Sequence, residues 1–171
     1  MAIKSIEDLF LHELSDIYSA EKQLTRALPR LARASSSPKL AQAFESHLEE
    51  TNGQVERIDK IVEKLDLKLK RIKCAAMEGL VDESREIIDS IEKGALRDAA
   101  LIVGAQKVEH YEIASYGGLC ALARQIGYDE AVPLLTDTLE EEKNADKKLT
   151  SIAEQGGGNE RAGEEGEGGK G

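Results

Sequence analysis

Residues 108–119, VEHYEIASYGGL, lie inside a run, about 95–126, that otherwise reads as an apolar helix. Glu109 and Glu112 are one turn apart. Glu112 shares a face with Leu101, Ala105, Val108, Ser115, Leu119 and Leu122. A carboxylate on a core-facing stripe costs free energy unless something pairs with it. The rest of the chain has to supply that partner.

Outward from this run, the helices follow from their punctuation. Gly127-Tyr128 ends the third long helix, and a fourth runs from about Asp129 to Glu154, with Pro133 near its first turn, where a missing N–H is tolerated. Upstream, Ser5 caps a first helix with Asp8 three residues on. Leu14, Ile17, Glu21, Leu24, Leu28 and Leu31 form its stripe. SSSP at 35–38 breaks it, and Pro38 begins a second helix, striped by Leu40, Ala43, His47, Gln54, Ile58 and Ile61. Residues 70–94 are less regular. GLVDESREIIDSIEKG, 79–94, reads as a short amphipathic helix, and Ile87, Ile88 and Ile91 offer apolar surface for a dimer.

Short links join the first helix to the second and the third to the fourth. A long segment joins the second to the third. Residues 1–155 are therefore expected to form an all-α, ferritin-like antiparallel four-helix bundle with one long crossover and a short extra helix. Residues 156–171, GGGNERAGEEGEGGKG, are expected to be a disordered Gly/Glu-rich tail.

The totals narrow the function. A net charge of −10 argues against a nucleic-acid partner. No apolar run reaches a membrane span, and MAIKSIEDLFLHEL is too acidic for a signal peptide, so a cytoplasmic protein is expected. Cys74 and Cys120 form no CxxC and read as reduced thiols.

A sparse repeat emerges on a shift of 91 residues. Leu31-Ala32-Arg33 falls on Leu122-Ala123-Arg124, Leu48-Glu49-Glu50 on Leu139-Glu140-Glu141, and Glu21 on Glu112. A helical hairpin used twice places one Glu on each of four helices. Glu21, Glu50, Glu112 and Glu141 could then compensate one another by sharing two divalent cations, Fe or Mn, with Zn a further option. Di-metal bundles use one Glu from each of two helices and Glu-x-x-His from each of the others. This chain half obeys that rule: His47 lies one turn before Glu50, whereas Thr138 stands at the matching position of the fourth helix. Glu109 is an added candidate ligand, and Glu142 and Asp146 are two more. Against this, Glu50 and Glu141 belong to acidic runs of the kind that usually face solvent. Tyr18 and Tyr116 read as core aromatics.

SAEKQLTRAL (19–28), FESHLEETNGQVERID (44–59), KCAAMEGLVDE (73–83), RDAALIVGAQKVEHYEIASYG (97–117) and TLEEEKNADKKLT (138–150) together resemble the YciF-type family of bacterial ferritin-like stress proteins. The similarity covers about residues 1–155. It implies a cytoplasmic ferritin-like bundle with an added short helix, a homodimer, and a role in stress. Two functions compete. One is a di-metal carboxylate protein acting on peroxide or oxygen, with His47 as the neutral ligand. The other is a non-catalytic helical dimer or binding module whose carboxylates form a polar network.

Overall fold

The structure, a computed structural model, describes residues 2–154 and 158–168 and, of 165–168, the backbone alone. All six of its elements are helices: α1 Ile6–Ala34, α2 Pro38–Lys64, α3 Ala75–Ser90, α4 Ala95–Ile126, α5 Ala131–Glu154 and α6 Gly158–Gly168.

Each boundary has a local cause. The Ser5 side chain accepts from Asp8 N–H at 3.1 Å, while the Asp8 carboxylate accepts from Lys4 N–H, so α1 opens on a reciprocal cap. Ser37 caps α2 through Leu40 N–H, with Pro38 in the first turn. Gly127 ends α4 at φ +78°, a left-handed conformation that glycine adopts without penalty, and Tyr128 N–H reaches back to Ala123 O at 2.8 Å.

α1 and α2 form one hairpin and α4 and α5 the other; α1 also lies on α4 and α2 on α5, closing a four-helix ring. Phe10, near the start of α1, meets Tyr128, just past the end of α4, edge to face at 5.2 Å, so these two helices run antiparallel. At the opposite end, both oxygens of Asp98, in the first turn of α4, accept at 2.7 Å from the Ser36 and Ser37 N–H groups that precede α2. Hence α2 and α4 start at the same end and run parallel.

The crossover between them climbs α1. Lys70 N–H donates to Ser15 Oγ, Cys74 N–H donates to Ser19 Oγ, and Gln23 Nε2 donates to Cys74 O. α3 then continues the climb across α1 and α4. This is the ferritin-like bundle with one long crossover. Phe10, Leu14, Ile17, Leu24, Leu40, Ile58, Ile61, Leu101, Leu119 and Leu135 fill its interior at 2% exposure or less. Each such side chain contributes about 1.5–3 kcal/mol of burial.

Two expectations change. Ile87 and Ile88 are half-buried against the chain's own core rather than left as free surface, because α3 lies flat on α1 and α4. Of the tail expected to be disordered, residues 156–157 and 169–171 lie outside the described residues, and 158–168 form α6. Its glycines make it a poor helix in isolation, so packing must hold it. Ala162 is 8% exposed, and Gly158 and Arg161 share a crevice with Ala95, Ala99 and Ile102 of α4. A Cβ on Gly158 would come within 3.1 Å of Ile152 O, which explains a glycine at that close approach.

Candidate metal centre

Four helices deliver ionisable groups to one depth of the core. α1 contributes Glu21, α2 His47, α4 Glu109 and Glu112, and α5 Glu142. Glu21, Glu112 and Glu142 are 0% exposed, Glu109 3% and His47 5%, so none is a solvated surface charge. One donor atom from each of His47, Glu109, Glu112 and Glu142 lies within 4.8 Å of all the others. Ligands about 2.0–2.2 Å from a first-row cation stand at most about 4.4 Å apart across it. The donors are therefore grouped about one point, and closing on an ion would draw them inward by up to about an ångström.

The hydrogen bonding leaves this cluster unfinished. Both oxygens of Glu112, both of Glu142, one each of Glu21 and Glu109, and His47 Nε2 are buried without a hydrogen-bond partner. His47 Nε2 sits 3.2 Å from Glu109 Oε1 and 3.7 Å from Glu142 Oε2, without the alignment of a hydrogen bond. Native interiors seldom strand so many polar atoms in one place. Carboxylate oxygens are acceptors, so further acceptors cannot satisfy them; a cation or protons can.

The electrostatics point the same way. Burial first, then the charge of Glu142, pushes the Glu21 carboxyl up to about 8, although the hydrogen bond from Tyr116 opposes the shift. Burial and Glu142 likewise raise Glu109 and Glu112 well above the ordinary carboxylate range. Burial alone would lower the His47 pKa; its hydrogen bond to Glu50 and the charges of Glu142, Glu50 and Glu21 outweigh that and raise it. Without a cation at the centre, protons must hold the group together.

Two neighbours, Glu50 and Tyr116, hold side chains of the cluster, and Thr51 bonds the backbone beside it. Glu50 Oε2 lies 3.1 Å from His47 Nδ1. As acceptor from Nδ1–H, it leaves the Nε2 lone pair for the cluster, the arrangement common to metal-binding histidines. Thr51 Oγ1 donates to His47 O at 2.7 Å, and Tyr116 OH donates to Glu21 Oε1 at 2.5 Å.

Of the residues singled out in the sequence, the structure brings Glu21, His47, Glu109 and Glu112 together, with Glu50 at the edge. It does not bring in Glu141. That carboxylate pairs with Arg57 and accepts from Gln54 Nε2 at 3.3 Å. The buried carboxylate of α5 is its neighbour Glu142. Asp146 is also elsewhere, bonded to Gln106 and His110. Glu142 had a signal in the sequence: it falls on the spacing of Ala131, Leu135, Thr138 and Leu149, all buried, whereas Glu141 lies one position off that face. Tyr116 belongs to the core as expected, and it also holds a carboxylate oxygen.

A ferritin-like bundle with imidazole and carboxylates converging at its centre defines a class of candidate metal-binding helical proteins. Within it, the chain belongs to the family described as Domain of unknown function (DUF892), whose pattern matches residues 5–162. It is 65% identical to Protein YciF of Escherichia coli over 154 residues, covering 90% of this chain and 93% of that one. The crystal structure of the E. coli stress protein YciF superposes with a TM-score of 0.86 over 88% of this chain and 96% of its own. YcfI of Rhodopseudomonas palustris follows at 46% identity and a TM-score of 0.85, over 88% and 96% of the two chains. A Xanthomonas campestris protein, 22% identical with a TM-score of 0.70 over 88% and 92%, shares the fold.

Proposed function

We propose that the chain is a stress-response metalloprotein whose bundle core binds two divalent ions, Fe or Mn, and acts on peroxide or oxygen. The supporting observation is the set of unpartnered buried donors converging from four helices. His47 Nε2, Glu109, Glu112 and Glu142 would hold one ion. Glu21, with Glu112 and Glu142 shared, would hold the second, and Tyr116 fixes the Glu21 carboxylate. A set rich in carboxylates with one imidazole and no thiolate suits Fe, Mn or Zn. Bound there, such ions supply Lewis acidity and, for Fe or Mn, electron exchange with an oxidant.

The chain's own residues do the rest. Leu24, Ile58, Leu101 and Leu135 are buried in the apolar core of the same bundle, which lowers the local polarity and strengthens the interactions of the charges. Glu50 holds the imidazole tautomer that leaves Nε2 free. The stress assignment rests on similarity to the E. coli stress protein. No described helix is long and apolar enough to cross a membrane, which agrees with a cytoplasmic location. Leu96 and Val103, 50% and 56% exposed and two turns apart on α4, favour a homodimer.

Elemental analysis of chelator-free protein tests the reading. About two equivalents of Fe or Mn support both positions. About one supports the four-donor position alone and removes the second. None, even after reconstitution, sinks the metal function.

A further inference from the structure

The repeat relating the two hairpins makes a comparison possible on opposite sides of the candidate centre. On one side, between α2 and α5, a cavity of about 90 Å³ reaches from exposed Glu50, Asn144 and Lys148 down to buried His47 and Glu109. Phe44, Ala43 and Leu149 give it apolar walls, and Ala145 stands beside the path. That volume takes a few water-sized molecules.

The equivalent place on the other side is reached by moving each residue to its repeat partner. His47 becomes Thr138, Glu50 becomes Glu141, Ala145 becomes Gln54, and Lys148 becomes Arg57. There the same positions are bonded together. Arg57 Nη1 donates to Thr138 Oγ1 at 3.1 Å, its Nη2 pairs with Glu141, and Gln54 Nε2 donates to Glu141 Oε2. Gln54 is 0% exposed and Thr138 1%, so this network is a plug and not surface decoration. A short side chain and an extended lysine on one side are thus replaced by a glutamine and a bridging guanidinium on the other. A planar fork fixed to two partners closes a gap better than a single flexible ammonium does.

We infer that the centre has one port, at Asn144, Ala145 and Lys148, and that Arg57 seals its twin. The port passes divalent ions and molecules of a few heavy atoms and excludes larger ones. The inference rests on the metal reading above, and its test separates the two.

Asn144→Cys places a thiol at the exposed mouth; the native Cys74 and Cys120 are 0% and 2% exposed. Folded protein is loaded with Fe²⁺ under anaerobic conditions, then either labelled with a bulky maleimide or left unlabelled. Iron release into excess bipyridine is followed by colour. The label is added after folding, so variant folding does not confound the comparison. Labelled protein should release iron at least tenfold more slowly, with unchanged iron content. Ala145→Leu should slow release in the same direction. Adding Arg57→Ala to the labelled protein should restore the rate by opening the sealed side. Equal release rates with and without label, from protein that does hold iron, overturn the port alone. Protein that takes up no iron in any form overturns the metal reading and the port with it.

Discussion

The α1–α2 hairpin and the α4–α5 hairpin follow one plan and diverge where chemistry is concerned. Glu21 and Glu112 occupy matching positions and are equally buried. Two other matched pairs differ in residue, His47 against Thr138 and Thr51 against Glu142, and a third, Glu50 against Glu141, differs in its partner. In the first hairpin the carboxylate of Glu50 serves the imidazole. In the second, Glu141 serves Arg57, and Glu142 enters the core in its place. A duplicated scaffold therefore fixes the depth of a site without fixing its donors. At His47 against Thr138 and Thr51 against Glu142 the burial is shared and the donor atoms differ, and the four-donor position uses His47 from the first half with Glu109, Glu112 and Glu142 from the second.

The largest effect that can break this picture is at Glu112 and Glu142. Glu112→Gln or Glu142→Gln should weaken metal affinity beyond the roughly 10–100-fold typical of residues that only support a ligand. Each variant should leave the helical circular dichroism intact. Glu112→Gln puts a neutral amide where burial and neighbouring carboxylates penalise the charged form, so it should also raise the melting temperature of metal-free protein on the alkaline side, where Glu112 would otherwise ionise. Affinity and melting both equal to the parent's would make Glu112 an ordinary polar residue.

A smaller loss sharpens the contrast between Glu50 and Glu141. Glu50→Gln should lower metal affinity by about 10–100-fold through a looser His47. Glu141→Gln should leave affinity untouched and cost on the order of 1 kcal/mol of stability through its pairing with Arg57. Isothermal titration with Mn²⁺ reads the first and chemical denaturation the second. Equal losses of affinity would mean that the two halves contribute alike.

The pH dependence of metal-free protein is next. Glu21 carries a folded pKa raised from 4.5 to about 8, and Glu109 and Glu112 are raised too. In that window the folded state binds more protons than the unfolded one, so stability is greatest on the acid side and falls as pH rises from about 4.5 toward 8. The slope is about 1.4 kcal/mol per pH unit for each group held protonated. Saturating Mn²⁺ should flatten it by replacing the protons. A metal-free melting temperature that climbs across this range would contradict the buried acid cluster.

The smallest expected effect is a control outside both hairpins. Glu78→Gln on α3 breaks an exposed pair with Lys73, so metal affinity and the melting temperature should stay within error.

The difference between fold and site in legibility has a physical basis. Ser5, the Ser37-Pro38 pair and Gly127 act on their immediate neighbours, so helix ends can be read from a few adjacent residues. Glu21 and Glu112 were legible because each interrupts a clean apolar stripe. Glu141 and Glu142 were harder, because residues 140–142 are three consecutive glutamates that differ by about 100° of helix rotation each. The repeat favoured Glu141. The phase of the α5 stripe puts Glu142 inward and Glu141 off the core face, where Glu141 meets Arg57, 84 positions away on another helix, a contact that no local pattern carries. The helix of 158–168 escaped for a related reason: its glycines oppose helix formation, and the surface that supports it belongs to α4.

Asp98 gives the bundle an order of assembly. Its two oxygens satisfy backbone donors of the turn between α1 and α2, yet it is synthesised some sixty residues after that turn. The early hairpin therefore emerges with its turn incomplete, and contacts of such long sequence separation form late. Until α4 docks, the Ser36 and Ser37 amides remain open to solvent deuterium. Their protection in a pulse-labelling experiment would serve as a clock for the arrival of the second hairpin, and so for the moment at which the acidic core is enclosed.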